Sequence, residues 1–340
     1  MKIDKRLELI KRNTVEIIGE EDLKKLIVEK EEPSCYLGTA PTGIPHVGYF
    51  LWGLKVADLL KAGFKVKILL ADLHAALDNT PWEVLGERYE FYSKIIPLMI
   101  KSMGADISKL EFVRGSDFQL GEEYLMDLFK MSSLASVHDC HKAASEVVKL
   151  GASPKLSGYI YPLMQALDEE YLDVDMQLGG TDQRKIFVLA REKLPQIGYG
   201  KRIELMIPLI PGFVGAKMSS SVEASKIGLL DTPKQIEKKI NSADFEEGNP
   251  ENGVMAFFEH ILFVLKKDAK KKLVIKRPEK FGGNLEFKEF GDLKKAVVEK
   301  KVHPLDIKVT CSKEIINLLS GIEENRKELE EIQKRAYPNK

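Results

Sequence analysis

Two stretches of the 340-residue chain carry residue types suited to handling phosphate. The first is Gly38-Thr-Ala-Pro-Thr-Gly-Ile-Pro-His46-Val-Gly48-Tyr49. Gly38, Gly43 and Gly48 let the backbone approach a nucleotide closely, and His46 offers a hydrogen bond to a phosphate oxygen. The second is Lys217-Met218-Ser219-Ser220-Ser221, flanked by Gly212 and Gly215. It supplies one cation and a run of hydroxyl donors, and a loop of this make-up can engage polyphosphate as charge develops in a transition state. No GxxxxGK[ST] string is present, which excludes a P-loop. A further set of polar residues suits recognition of a small ligand. Tyr161, Gln165 and Asp168 recur at i, i+4 and i+7, so a phenol, an amide and a carboxylate share one helix face. Asp72 and His74 end the run Lys65–Ala71 and would face the same cleft; a core histidine is the competing reading of His74.

These groups need a frame, and the chain supplies one. Ser34–Leu37 reads as a strand running into the Gly38–Gly48 stretch. A helix follows over Val47–Lys61, with Ala62-Gly63 as its stop. Lys65–Ala71, KVKILLA, has the unbroken apolar character of a buried parallel strand. Glu83–Met103 reads as a long helix and Leu110–Val113 as another strand. After a helical stretch at Gly121–Leu150, alternation resumes with a helix around Leu163–Tyr171, a strand near Val174–Leu178 and a helix over Thr181–Lys193. Ile3–Lys30 has helical spacing throughout. The expectation is an α/β, doubly wound parallel-sheet (Rossmann-like) domain over residues 1–228, with a helical insertion at about 115–157 and the Gly/Ser loop at about 212–225. In such a sheet, ligands bind at the carboxyl ends of the strands, where the first glycine-rich stretch falls. The helix N-terminus after it favours negative charge. Leu229-Leu-Asp-Thr-Pro233 offers Asp231 or Thr232 as an N-cap with Pro233 behind it. It opens a second, all-α domain over residues 229–340, whose tail from Glu314 reads as one more helix.

Composition narrows the function classes. Lys+Arg and Asp+Glu balance at 52 each, so bulk charge points to neither nucleic acid nor membrane. Cys35, Cys140 and Cys311 are far apart in sequence and form no CxxC pair, which argues against a disulfide framework or a zinc site. No apolar run approaches the ~20 residues needed to span a bilayer, and the charged N-terminus MKIDKRLELIKRN is no signal peptide. A reducing cytosol is the expected compartment. Beyond residue 229, Lys266, Lys267, Lys270, Lys271, Lys272 and Lys276 form a local basic stripe. It fits either a solvated helix face or an RNA footprint.

An HxG element early in an α/β domain, paired with a KMSSS loop at its far end, resembles the double signature of class I aminoacyl-tRNA synthetases. Four blocks tighten the resemblance. Cys35-Tyr36-Leu37-Gly38, Ala71-Asp-Leu-His74, Tyr161-Pro-Leu-Met-Gln165-Ala-Leu-Asp168 and Gly179-Gly-Thr-Asp-Gln183-Arg184-Lys185 stand in the order of the tyrosyl-tRNA synthetases. The pattern is similar to their archaeal and eukaryotic cytosolic branch and covers nearly the full chain. Two departures stand out: Tyr49 replaces the histidine that many class I enzymes carry, and the second lysine of KMSKS is absent.

The resemblance implies that tyrosine is activated with ATP to tyrosyl-adenylate and then passed to the 3′-terminal ribose of tRNA(Tyr). It implies His46, Lys217, Ser219 and Ser220 as catalytic, and Gly38, His46, Gly48, Lys217 and Met218 as the ATP contacts. Tyr36 and Asp168 would read the substrate phenol, and Tyr161, Gln165 and Gln183 would hold its ammonium, with His74 beside them. The chemistry is sound: an apolar pocket hardly tells a phenol from a phenyl ring, whereas a buried donor–acceptor pair does, and this family is itself the standing case. The sister tryptophanyl-tRNA synthetases are the alternative, but an indole offers only a donor. Mg²⁺ would arrive with ATP as substrate; no tightly bound cofactor and no resident metal are expected. Arg277-Pro-Glu-Lys-Phe281-Gly-Gly283 and His303-Pro-Leu-Asp306 resemble anticodon-domain motifs, which makes residues 229–340 the anticodon-binding domain. Arg184, Phe281, His303 and Asp306 are the tRNA contacts so implied, with a core anchor as the competing reading of Phe281. The resemblance also implies a homodimer formed through the helical insertion, and no membrane partner.

Overall fold

The computed structural model describes residues 1–215 and 226–338. The first half opens with α1 (Ile3–Lys11), β1 (Glu16–Ile18) and α2 (Glu20–Glu29). Two strand–helix units follow: β2 (Ser34–Thr39) with α3 (Tyr49–Lys61), then β3 (Lys65–Leu70) with α4 (Asp72–Leu77) and α5 (Leu85–Ser102). β4 (Leu110–Arg114) leads into α6 (Glu122–Leu134) and α7 (Val137–Ala144), and then α8 (Ser157–Tyr171), β5 (Met176–Gly180), α9 (Arg184–Lys193) and β6 (Ile203–Ile207).

The six strands form one sheet in the order β1-β6-β5-β2-β3-β4, parallel except for β1, which pairs antiparallel with β6. This is the doubly wound α/β arrangement the sequence predicts. The direction of winding reverses at β2, whose neighbours are β3 on one side and β5 on the other. A crevice opens at such a switch point, outside the carboxyl ends of the strands. Here those ends are Gly38-Thr39 and Gly179-Gly180.

Beyond the sheet come α10 (Pro233–Asn241), α11 (Gly253–Phe257), a π-helical turn over Phe258–Leu262 and α12 (Phe263–Asp268). The rest comprises β7 (Leu273–Ile275), β8 (Leu285–Phe287), α13 (Phe290–Val298), α14 (Pro304–Leu319) and α15 (Arg326–Ala336). Thr232 caps α10 through a reciprocal pair with Gln235. The region is helical as expected, with one addition: β7 and β8 pair as a short antiparallel ribbon. The tail from Glu314 holds two helices rather than one, because α14 continues to Leu319 before α15 begins. Two strands of the main sheet also lie outside the expectation. β1 interrupts the segment read as helical from Ile3 to Lys30, and β6 occupies a stretch with no assigned element.

Packing joins the two regions. One hydrophobic core runs from Ile10, Phe50 and Ile68 through Phe91 and Ile96 to Ile315, Leu329 and Tyr337. A second core lies under the insertion, where Tyr124, Met131 and Cys140 meet Met164, Ile186 and Leu189 of α8 and α9. The three cysteines are free and buried. Among the described residues, no helix is long and apolar enough to cross a membrane.

Candidate active site

A cleft of about 730 Å³ lies at the switch point. Tyr36, Gln165, Asp168 and Gln177 line its deep end, with His74 and Tyr161 beside them. Gly38, His46, Gly48 and Gln183 line the opening. The fold thus brings together every described residue that the resemblance places against tyrosine or ATP.

The deep end is built from β2, β5 and α8. Tyr36 and Asp168 are both fully buried. The Tyr36 hydroxyl accepts from Gln177 Nε2 at 2.5 Å and donates weakly to the Gln165 carbonyl at 3.3 Å. Asp168 Oδ1 accepts from Gln119 Nε2 at 2.8 Å and from the Tyr124 hydroxyl at 2.9 Å. Its other oxygen, Oδ2, is buried with no hydrogen-bond partner among the described residues. Burial pushes the Asp168 carboxyl up to about 7, against the two hydrogen bonds that hold it down. His74 Nε2 stands 3.7 Å from Oδ2, too far for a hydrogen bond; a buried acceptor without one is costly, and this one lies in the cleft lining. A ligand O–H placed there would satisfy it.

Around this pair, Gln165 Nε2 donates to Gln183 Oε1 at 3.1 Å, tying α8 to the turn after β5. His74 is buried, edge-on to the Tyr161 ring with centroids 4.7 Å apart, and burial lowers its pKa to about 4. It is therefore a neutral histidine that is both packed and cleft-lining, so the two readings of it coincide. Asp72, expected to face the cleft, does not line it. Arg114 Nε holds one of its oxygens at 2.7 Å, while the Ser116 amide donates to the other at 2.9 Å. These bonds hold its carboxylate against the end of β4 and the turn that follows it.

At the opening, Gly48 N donates to His46 Nδ1 at 3.2 Å. Burial, and secondarily the charge of Lys226, lowers the His46 pKa to about 4, so the ring is neutral. With Nδ1 accepting, the single ring proton sits on Nε2, which makes His46 a hydrogen-bond donor. The glycine-rich loop is braced from behind. The Tyr92 and Tyr337 hydroxyls each donate to the Gly43 carbonyl at 2.6 Å, and Arg88 Nη1 donates to the Thr42 carbonyl at 2.8 Å. Arg88 also stacks on the Tyr337 ring at 4.6 Å and reaches the Ala336 carbonyl at 3.1 Å. Lys217, Met218, Ser219 and Ser220 lie outside the described residues. The chain on their far side returns to the loop: Val47 N donates to the Ile227 carbonyl at 2.9 Å, and Leu229 N to the Pro45 carbonyl at 3.1 Å.

The residues implied as tRNA contacts lie elsewhere. Arg184 starts α9, outside the cleft, and pairs with Glu16 of β1 through two bonds of 2.8 and 2.9 Å. Phe281 is 60% exposed, which rules out a core anchor, and Lys280 Nζ sits 4.9 Å from its ring centre. Gly282 and Gly283 follow with φ of 93° and 72°, a left-handed turn that suits glycine. Arg277 ties this turn to the stretch before His303, donating to the Gly283 carbonyl at 3.0 Å and the Lys301 carbonyl at 2.9 Å. His303 caps α14, its Nδ1 accepting from Leu305 N at 3.1 Å, and Asp306 lies one turn on, half-buried.

Sequence reasoning missed Gln119, Tyr124 and Gln177. A lone polar residue inside the apolar run of β5 was a usable signal for Gln177. Nothing local marked Gln119 or Tyr124, which reach the site only because the insertion folds back over α8.

A nucleotide-sized cleft at the switch point, a neutral histidine donor on a glycine-rich loop and a buried phenol–carboxylate pair define a synthetase-type site, and residues 29–320 match the model of the class I tRNA synthetases for tryptophan and tyrosine. The chain belongs to that family. It is 48% identical over 343 residues to the cytoplasmic tyrosine–tRNA ligase of Xenopus laevis, covering 99% of this chain and 64% of that protein. The tyrosine–tRNA ligase of Haloarcula marismortui is 41% identical, with 98% and 97% covered. The structure of tyrosyl-tRNA synthetase from Archaeoglobus fulgidus, complexed with L-tyrosine, superposes with a TM-score of 0.85 at 36% identity, over 98% of this chain and 100% of that one. The chain thus spans less than two-thirds of the length of the vertebrate relative and nearly all of the archaeal ones.

Proposed function

We infer that this protein is a tyrosine–tRNA ligase of the cytoplasm. The observation that carries the reading is the Tyr36–Asp168 pair, fully buried at the deep end of the cleft, where it offers one hydroxyl donor and one carboxylate oxygen that accepts no hydrogen bond among the described residues. A phenol satisfies both; an indole N–H satisfies only the carboxylate. Tyrosine sits with its hydroxyl on this pair and its ammonium among Tyr161, Gln165 and Gln183. Its carboxylate then points towards the opening, where ATP lies along Gly38 to Gly48. The carboxylate oxygen attacks the α-phosphorus in line, the bond to the bridging oxygen breaks, and pyrophosphate leaves. No protein nucleophile takes part; the chain positions the reactants and stabilises charge. His46 donates from Nε2 to a phosphate oxygen, Lys217 brings its cation to the leaving group, and Mg²⁺ accompanies ATP. The ribose hydroxyl of tRNA(Tyr) then attacks the adenylate carbonyl and releases AMP.

The test is amino-acid-dependent pyrophosphate exchange across the twenty amino acids. Tyrosine alone should support rapid exchange. Exchange driven by tryptophan instead would move the assignment to the sister enzyme.

The homodimer belongs to the same reading. α6 exposes Leu125, Met126 and Phe129, the last 70% exposed, and Val137 follows at the start of α7. An apolar stripe of this kind on an otherwise charged surface suits burial against a second copy.

Anticodon recognition belongs to the surface around Phe281. An exposed aromatic beside a cation suits stacking on an unpaired base, at about 1–3 kcal/mol per base, and His303 and Asp306 can supply the edge hydrogen bonds. Phe281→Ala and Asp306→Ala should each impair aminoacylation, leave tyrosine-dependent exchange near the wild-type rate, and flatten the difference between tRNAs altered at the first anticodon base. Parallel loss of exchange and thermal stability, with tRNA preference unchanged, would make these residues structural.

A further inference from the structure

Tyr36, Gln177 and Glu204 occupy one row across β2, β5 and β6, in register as direct neighbours on adjacent strands. The row is buried from end to end. Within it the Gln177 amide nitrogen donates to the Tyr36 hydroxyl, while the amide oxygen has no partner among the described residues. A phenolic hydroxyl has one proton and two lone pairs. When Gln177 fills a lone pair, the proton of Tyr36 stays available to a ligand, since the Gln165 carbonyl holds it only weakly at 3.3 Å. Were the amide turned over, its oxygen would take that proton and Tyr36 would become an acceptor. Tyr36 and Asp168 would then both be acceptors, and a ligand hydroxyl has only one proton to share between them.

We propose that Gln177 is a positioning residue for amino-acid specificity: it fixes Tyr36 as the donor of the pair and so makes the deep end complementary to a hydroxyl. The inference rests on the tyrosine reading above. The orientation has a physical cause. Glu204 continues the row as the neighbour of Gln177 on β6. Glu204 is fully buried, and neither of its carboxyl oxygens has a hydrogen-bond partner among the described residues. Burial pushes Glu204 up to about 8, against the opposing charges of Arg191 and Arg202, so it is mostly protonated at neutral pH. A carboxylic acid next to Gln177 in the row favours the flip in which the amide oxygen faces it and the nitrogen faces Tyr36.

The test compares three amino acids of similar shape that differ only at the para position in pyrophosphate exchange: tyrosine, phenylalanine and 4-aminophenylalanine. An aromatic amine carries two donors and is a poor acceptor, so it suits a pair of acceptors and mismatches the wild-type site. Gln177→Met keeps the length of the side chain and removes the amide. The expected result is a fall of about tenfold in the tyrosine-to-phenylalanine ratio of kcat/KM, with a rise in 4-aminophenylalanine relative to tyrosine. Ratios measured on one preparation cancel the folded fraction, and Gln177→Asn carries the same expectation should the methionine variant fail to fold. Equal losses on all three amino acids, or unchanged ratios, overturn the proposal and leave Gln177 a packing residue. A wild-type protein that shows no tyrosine-dependent exchange would instead sink the tyrosine reading itself.

Discussion

Replacing His46 by alanine should slow adenylate formation by roughly 100- to 1000-fold while leaving tyrosine affinity near the wild-type value. The neutral ring, with Nδ1 occupied by Gly48 N, holds its one proton on Nε2 at the cleft opening. A fixed donor in a water-poor site acts on charge as it develops on the phosphate, and losing one such donor costs about 2.7–4 kcal/mol. On the proposed reading tyrosine lies at the other end of the cleft and does not need that donor. Single-turnover adenylate formation, set beside a tyrosine titration of the same variant, separates the two effects. Equal losses in rate and tyrosine affinity would mean that His46 supports the loop rather than the chemistry.

Asp168→Ala should lower the tyrosine-to-phenylalanine ratio of kcat/KM by roughly 5- to 150-fold, since an unmade bond to a buried polar group costs about 1–3 kcal/mol. A pH dependence accompanies it. On the proposed reading a substrate O–H needs an ionised Asp168, and burial pushes that carboxyl up to about 7. Tyrosine KM should therefore rise as pH falls below about 7, and the step should vanish in Asp168→Asn. Stability moves the opposite way. The folded pKa lies above the unfolded value of about 3.9; the contribution of Asp168 to folding is thus complete below that pH and is lost as pH rises towards 7. Asp168→Asn should accordingly raise the melting temperature of the ligand-free protein at pH 8 more than at pH 4. A tyrosine KM that is flat across this range in the wild type would show that the carboxylate does not receive the phenol.

Much of this site was legible before the fold was known. β2, β3 and β5 are buried on both faces in a parallel sheet, so they read as apolar runs, and the glycine-rich loop and the α8 face carry their spacing locally. What escaped was set by tertiary contact. β1 is three residues long and exists because it pairs with β6; no period can show in so short a piece. Gln119 and Tyr124 reach Asp168 from an insertion whose path over α8 is not encoded in their own neighbourhood. Asp72 misled for a related reason, because the serine and arginine that hold it lie some forty residues further along. Phe281 was ambiguous in sequence, since an aromatic beside Gly-Gly fits a core or a surface, and only its exposure separates the two.

The clasp of Tyr337 and Arg88 on the Gly43 loop bears on how the protein is made. Synthesis runs from the N-terminus, and the glycine-rich loop emerges almost three hundred residues before the tyrosine that braces it. A nascent chain can fold its sheet early, yet the loop at the opening of its cleft lacks that support until α15 has cleared the ribosome. Chains broken off upstream of α15 cannot form the clasp. Bracing of the cleft opening is thus tied to the making of α15 and of Tyr337, which follows it.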